Sequence, residues 1–80
     1  MTASDLLEAN RRRPFRPFRI EMTDGTAHEI RHPELLHVGM AVAMIVVPHP
    51  DNPHMMSRTE FIDIRHIVKV TVDLPLHAQG

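Results

Sequence analysis

The sequence predicts a mostly β fold, in which a short N-terminal helix precedes a five-stranded, strongly bent antiparallel sheet or small barrel. Apolar and polar residues alternate over several short segments, as they do in half-buried strands. Turn-forming residues separate these segments at short intervals. The 80 residues also leave no room for the long helical crossovers that a parallel sheet requires. These three observations favour one small antiparallel β domain.

The N-terminal segment has the features of a short helix. Thr2 or Ser4 can cap it, and Asp5 and Arg11 complement the partial charges of its two ends. Pro14 cannot continue a helix, so it marks the end of this element. We therefore divide the single domain, residues 1–80, into a helix in 1–13, a β-barrel-like body in 14–74 and a tail in 75–80.

The clearest β element is a hairpin that turns at Asp24-Gly25. A two-residue turn there would place charged and apolar side chains on one face of the hairpin. A three-residue turn, with the glycine in the left-handed conformation, instead places Phe18 opposite Ile30 and Arg19 opposite Glu29. The longer turn gives one apolar face and an ion pair on the other, so we predict the longer turn.

Three further strands are expected after the hairpin. Residues 42–47 are apolar at both odd and even positions, which predicts a central strand that is covered on both sides, or on one side by the barrel and on the other by a neighbour. Residues 48–54 contain three prolines and are expected to form an exposed loop. Strands are also expected in 57–64 and 67–73, whereas 35–38 fits either a short strand or a single turn.

The alternation also predicts which side chains form the core. In the last strand Val68, Val70 and Val72 are expected to face inward and Lys69 outward. Phe61 is expected to be one of the largest buried side chains. The predicted members of one core are Phe18, Ile20, Ile30, Val46, Phe61 and Val70.

Composition restricts the environment of the protein. The chain has no Cys, which excludes disulfides and thiolate zinc sites and fits a reducing compartment. Its longest apolar run, residues 40–47, is far shorter than the ~20 residues of a membrane-spanning helix. The N-terminus also lacks the apolar segment of a signal peptide. We expect a soluble, cytoplasmic protein that does not bind membranes.

Charge is distributed unevenly along the chain, although the net charge is only −1. Residues 1–19 contain five arginines and only two acidic residues, Asp5 and Glu8, whereas residues 20–80 are acidic overall. A basic arm can bind a polyanion, but it can equally dock on the acidic body of its own chain or of a neighbour. The second interpretation is favoured because the whole chain is not basic.

Three segments resemble the signature of an uncharacterised family of small bacterial proteins. They are Arg13-Pro14-Phe15-Arg16-Pro17-Phe18, Asp24-Gly25 and His32-Pro33-Glu34, which match R-P-F-x-P-F, D-G and H-P-E. The resemblance covers most of the chain. It implies no activity, because none is established for that family.

The order of one helix and five strands is also similar to the Sm-like fold, an SH3-type small barrel that binds RNA. The segment 64–67 resembles the Lys-His segment that bacterial Sm-like RNA chaperones carry before their last strand, with arginine in place of lysine. This resemblance implies a nucleic-acid-binding role, with the arginines on phosphate and the 65–66 pair near a base. The residues concerned are Arg11, Arg12, Arg13, Arg16, Arg65 and His66.

No motif in the sequence indicates catalysis or metal binding. The serines and threonines lack a nucleophile motif, and three glycines do not make a phosphate-binding loop. Seven histidines are present, but neither His28 with His32 nor His49 with His54 has the spacing of a known metal site. We expect no enzymatic activity, no metal and no cofactor.

Two binding functions therefore remain. A protein-interaction or self-assembly module would use strand 42–47 and the exposed edge that five strands leave open. A nucleic-acid module would use the arginines listed above, but the absence of Tyr and Trp leaves few side chains on which bases can stack. We favour the first function and expect a homo-oligomer. A different protein is the next candidate partner, and nucleic acid is less favoured.

Overall fold

A computed structural model of the chain describes residues 1–73. The predicted tail, 75–80, lies outside the described residues. The elements are one helix and six strands, with two short 3-10 turns, at Pro33–Leu35 and Ile64–His66. Their bounds are α1 Ala3–Arg11, β1 Phe18–Met22, β2 Ala27–Ile30, β3 Leu36–Val38, β4 Val42–Pro48, β5 Met56–Asp63 and β6 Ile67–Val72.

The strands form two antiparallel sheets of three strands each, in the orders β2-β1-β6 and β3-β4-β5. The mostly β class with a short N-terminal helix is confirmed. The prediction of five strands in one bent sheet or small barrel is wrong, since residues 1–73 form six strands and no closed barrel. The chain divides at Pro33, which has no N–H for a ladder and begins a 3-10 turn between β2 and β3.

Helix α1 is anchored at both ends. Thr2 and Asp5 form a reciprocal capping box, in which the Thr2 hydroxyl accepts the Asp5 amide hydrogen at 3.2 Å. Leu6 is fully buried, and the Asn10 amide donates to the carbonyl oxygens of Pro33 and Leu36 at 3.1 and 3.3 Å. The helix, Ala3–Arg11, lies within the N-terminal segment 1–13 in which it was predicted.

The predicted hairpin register is confirmed. Phe18 pairs with Ile30 and Arg19 pairs with Glu29, whose carboxylate lies 3.5 Å from the guanidinium. Gly25 has φ = +89°, a left-handed conformation that L side chains rarely adopt. The choice of turn made from the sequence is therefore the one that the backbone adopts.

The core lies between the two sheets and α1. Of the predicted core members, three are fully buried and Val70 is half-buried against the core, whereas Val46 lies on the face of β4 opposite to the buried Ala43 and Ile45. The predictions of Val46 and Phe61 as core members are therefore wrong, and the side chain of Phe61 is 70% exposed. The fully buried members of the predicted set are Phe18, Ile20 and Ile30.

The orientation of Phe61 follows from the parity of β5. Ile62 is buried, and Phe61 precedes it directly, so the ring points to the opposite face of the sheet. Because residues 61, 62 and 64 are all apolar, the sequence alternation allows either residue 61 or residues 62 and 64 to face the core. The prediction that residue 61 faces the core is wrong.

Val68 was also expected to face inward and is 64% exposed. Its strand contains a bulge, because Glu21 pairs with Lys69 whereas Met22 pairs with Ile67. Val68 is the extra residue at this bulge, and Ile67 occupies the inward position instead. The inward assignments of Val70 and Val72 agree with their partial burial.

Candidate interaction surface

Exposed apolar side chains collect on the outer face of the second sheet. Ala43 and Ile62 face the core, so their strand neighbours Val42, Met44 and Phe61 face outward. Met44 lies directly opposite Phe61 in the ladder and is half-buried, whereas Val42 is 45% exposed. We call Val42, Met44 and Phe61 the outer patch. Within residues 1–73 only one face of residues 42–47 is covered, so cover of the other face by a neighbour stays a prediction.

Helix α1 does not cover the outer patch. It packs against β3 and inserts Leu6 into the core, while Leu7 remains 38% exposed. The helix thus contributes to the opposite, inner side of the sheet. Within residues 1–73 the side chain of Phe61 remains 70% exposed.

Strand β5 is an edge strand of its sheet, and within residues 1–73 no strand pairs with its outer side. The amide of Ile64 donates to the carbonyl of Ala41 at 3.0 Å, which shows which residues of β5 direct their backbone hydrogen bonds toward β4. Hydrogen-bonded positions alternate along an antiparallel ladder. The backbone N–H and C=O groups that point away from β4 are therefore those of Thr59, Phe61 and Asp63.

A bulge limits this open edge at its N-terminal end. Arg58 pairs with Val47 and Met56 pairs with Pro48, so Ser57 is an extra residue without a partner in β4. At the other end Asp63 is followed by a 3-10 turn. The regular part of the edge consequently extends from Arg58 to Asp63.

A cleft of about 360 Å³ lies between this edge and the turn of the first hairpin. Its rim holds Asp24 on the hairpin and Asp63 at the end of β5. Hydrogen bonds from the Arg65 side chain and backbone lower the pKa of Asp63 to about 2. The Thr26 hydroxyl and amide likewise lower the pKa of Asp24. Both carboxylates are therefore ionised at neutral pH.

Two histidines also border the cleft. His28 Nδ1 lies 3.8 Å from Glu60 Oε1, across the two sheets. His66 Nδ1 lies 3.5 Å from the Thr23 hydroxyl and its Nε2 lies 3.9 Å from Asp63. In the part of the chain that the structure describes, no three His, Asp or Glu residues are grouped as metal ligands.

The remaining histidine pairs are separated by the fold. His49 is in the proline-rich loop, where its Nδ1 accepts the amide hydrogen of Asp51 at 3.1 Å. His32 and His54 line a larger groove of about 770 Å³ together with Met55 and Met56. Thus the two histidine pairs that are close in sequence, His28 with His32 and His49 with His54, do not line one cleft or groove together.

Two of the cations predicted to bind nucleic acid are engaged by carboxylates. Arg16 forms a two-pronged ion pair with Asp73, and Arg65 Nη2 lies 2.8 Å from Asp63. Arg13 donates to the carbonyl oxygens of Asn10 and Arg12. Pairing with a carboxylate offsets the charge that would attract phosphate.

The other predicted residues lie on different elements. Arg11 and Arg12 are exposed at the end of α1, in a shallow groove that also contains Glu8. His66, beside the cleft, belongs to the turn that follows β5. The assignment of these residues to nucleic acid stays a prediction.

Searches of protein-family models, curated proteins and solved structures return no match for this chain. The resemblances to the R-P-F-x-P-F proteins and to the Sm-like fold therefore remain predictions. No helix in residues 1–73 is long and apolar enough to cross a membrane.

The sequence predicts residues 42–47 as a contact surface, but not the outer patch that includes Phe61. The sequence does contain one signal for this patch, the adjacent apolar residues Phe61 and Ile62. Neighbouring residues of a strand point to opposite faces of the sheet, so only one of the two can face the core. Choosing the exposed member requires the register with β4, and the sequence does not specify that register.

Proposed function

We propose that this chain is a non-enzymatic protein-interaction or self-assembly module, and that its contact surface is the outer patch together with the open edge of β5. The exposure of Phe61 on an edge strand carries this proposal. Burying a phenylalanine side chain is worth roughly 1.5–3 kcal/mol, and a domain of this size has little apolar surface to leave unused.

Two kinds of interaction are available at the same place. The ring of Phe61 and its neighbour Met44 supply apolar area, while the outward N–H and C=O groups of the edge can bind another strand. Backbone hydrogen bonds fix the orientation of an added strand, and the apolar contact stabilises it. A strand added at this edge lies in the plane of the sheet, so its outward side chains would contact Phe61, the member of the outer patch that lies on β5.

The proposal is tested by sedimentation velocity over a micromolar concentration range. We expect the sedimentation coefficient of the unaltered chain to rise with concentration, and Phe61→Glu to hold it at the monomer value. The glutamate is expected to act on association and not on folding, because residue 61 is exposed. Interference optics suit the experiment, since the chain lacks Tyr and Trp.

Met40→Glu serves as the matched control. Met40 is 96% exposed in the turn between β3 and β4, so the same charge is added to another exposed apolar position away from the β5 edge. We expect Met40→Glu to associate like the unaltered chain. Association that is equally strong in Phe61→Glu, or a monomer at every concentration, would contradict a self-assembly role for this surface.

A further inference from the structure

The open edge of β5 restricts how a second copy could pair with it. Two copies related by a two-fold axis pair antiparallel, and each outward-facing residue must then meet another outward-facing residue. Of the ladders that this condition allows, those centred on Thr59, on Glu60 and on Phe61 bring both Thr59 and Phe61 into pairs. A ladder centred on Ile62 pairs Phe61 with Asp63 but places Thr59 opposite residue 65, which lies in the turn beyond the strand. The three registers place different side chains opposite each other, so they can be compared.

The ladder centred on Thr59 is disfavoured by the bulge. It would pair Phe61 with Ser57 of the second copy, but Ser57 is the extra residue at which the regular edge ends. The ladder centred on Glu60 is disfavoured by charge. It would place Glu60 directly opposite Glu60 of the second copy, and like charges in that position are destabilising.

The ladder centred on Phe61 avoids both problems. It uses only residues 59–63, all within the regular edge, and provides about six backbone hydrogen bonds across the axis. The two Phe61 rings lie opposite each other on the outer face, an arrangement that stabilises cross-strand pairs. Thr59 lies opposite Asp63 of the second copy. The Thr59 hydroxyl donates to Met56 Sδ at 3.1 Å within its own chain, and in this ladder it would face a stronger acceptor, the carboxylate.

Glu60, the other charged residue in this ladder, keeps its ion pair with Arg58 of the same chain. Glu60 Oε2 accepts a hydrogen bond from Arg58 Nε at 2.7 Å within one chain. On the inner face the Phe61-centred ladder places Glu60 opposite Ile62 of the second copy, so no carboxylate meets another directly. The edge is therefore self-complementary in this register.

We infer that the partner of the β5 edge is a second copy of this chain, paired antiparallel about a two-fold axis at Phe61. The β3-β4-β5 sheets of the two copies then join into one sheet of six strands, with β5 and its symmetry mate at the centre. The inference rests on the proposed function and adds the identity of the partner, the symmetry and the register.

Single cysteines test this geometry directly, because the chain contains no other cysteine. Paired residues in an antiparallel ladder lie about 5.5 Å apart at Cα when hydrogen-bonded, within the range that a disulfide can bridge. We expect Phe61→Cys, oxidised in a glutathione buffer, to become mostly a disulfide-linked dimer. Val68→Cys, similarly exposed but on β6, is expected to remain mostly monomeric.

A second pair of variants keeps the phenylalanine. We expect a mixture of Thr59→Cys and Asp63→Cys proteins to form a mixed disulfide, whereas Thr59→Cys alone forms few disulfide-linked dimers. Preferential linkage of Thr59→Cys to itself would overturn the register. Absence of both the Phe61→Cys dimer and the mixed disulfide would overturn the two-fold geometry.

The disulfide experiments can fail while the proposed contact surface is correct, and the two failures can be told apart. If Phe61→Glu abolishes association but none of these disulfides form, the surface is correct and the symmetric partner is wrong. An assembly that Val68→Glu also disrupts would overturn the two-fold inference in favour of β5 pairing with β6 of a neighbour. If association does not depend on Phe61, the proposed surface itself fails.

Discussion

Replacing Phe18 with alanine is expected to lower the free energy of unfolding by about 3–5 kcal/mol. Phe18 is fully buried and is hydrogen-bonded into the middle strand of the first sheet, where it pairs with Ile30 on one side and Val72 on the other. Phe15 packs against it with a ring separation of 5.9 Å. Truncation would leave a cavity between both sheets, and a small domain has only about 5–15 kcal/mol of stability in total.

Urea denaturation followed by far-ultraviolet circular dichroism measures this loss. Phe15→Ala provides the control, because Phe15 is only half-buried and its truncation removes less packing. We expect a clearly smaller loss for Phe15→Ala. A Phe18→Ala variant as stable as the parent chain would mean that the first sheet does not pack as described.

The second large effect is expected at Ile62. Ile62→Ala should lower the free energy of unfolding by about 2–5 kcal/mol, because the side chain is buried between the sheets. Phe61→Ala, one residue away, should change it by less than about 0.5 kcal/mol when measured on the monomer, since an exposed side chain loses little packing. The difference between the two variants reports the parity of β5.

Dilute protein is needed for this comparison, since association through Phe61 would add to the apparent stability. Thermal melts at low concentration then compare the two variants under the same conditions. A larger loss for Phe61→Ala than for Ile62→Ala would reverse the parity and bury the residue on which the interaction surface depends.

The first hairpin could be predicted from sequence because two independent signals agree there. The alternation fixes which faces are apolar, and the position of Gly25 fixes the length of the turn. Only one register satisfies both signals. The pairing of Arg19 with Glu29 follows from that register, and the structure confirms it.

Strands β5 and β6 could not be assigned in the same way. In β5 the apolar residues at 61 and 62 are adjacent, so the alternation is compatible with either face. In β6 the pattern Val68, Val70, Val72 is regular in the sequence but is interrupted by the bulge in the structure. A bulge depends on pairing between distant segments, which local alternation does not report.

The division into two sheets depends on a similar long-range effect. Pro33 predicts a break after β2, but a break can end one sheet or bend a single one. In the structure the sheet ends at this point, and the Asn10 amide on α1 donates to the carbonyl oxygens of Pro33 and Leu36 and so holds the turn against the helix. The contact joins residues that are 23 and 26 positions apart in the chain.

Amide hydrogen exchange at the β5 edge, measured by NMR at low and high protein concentration, tests the central claim most directly. The outward amides of Thr59, Phe61 and Asp63 are expected to exchange rapidly in dilute protein and to slow markedly at high concentration, as a second strand covers them. The amides of Glu60 and Ile62 face β4 and serve as the internal reference. Exchange at Thr59, Phe61 and Asp63 that is independent of concentration would contradict association through this edge.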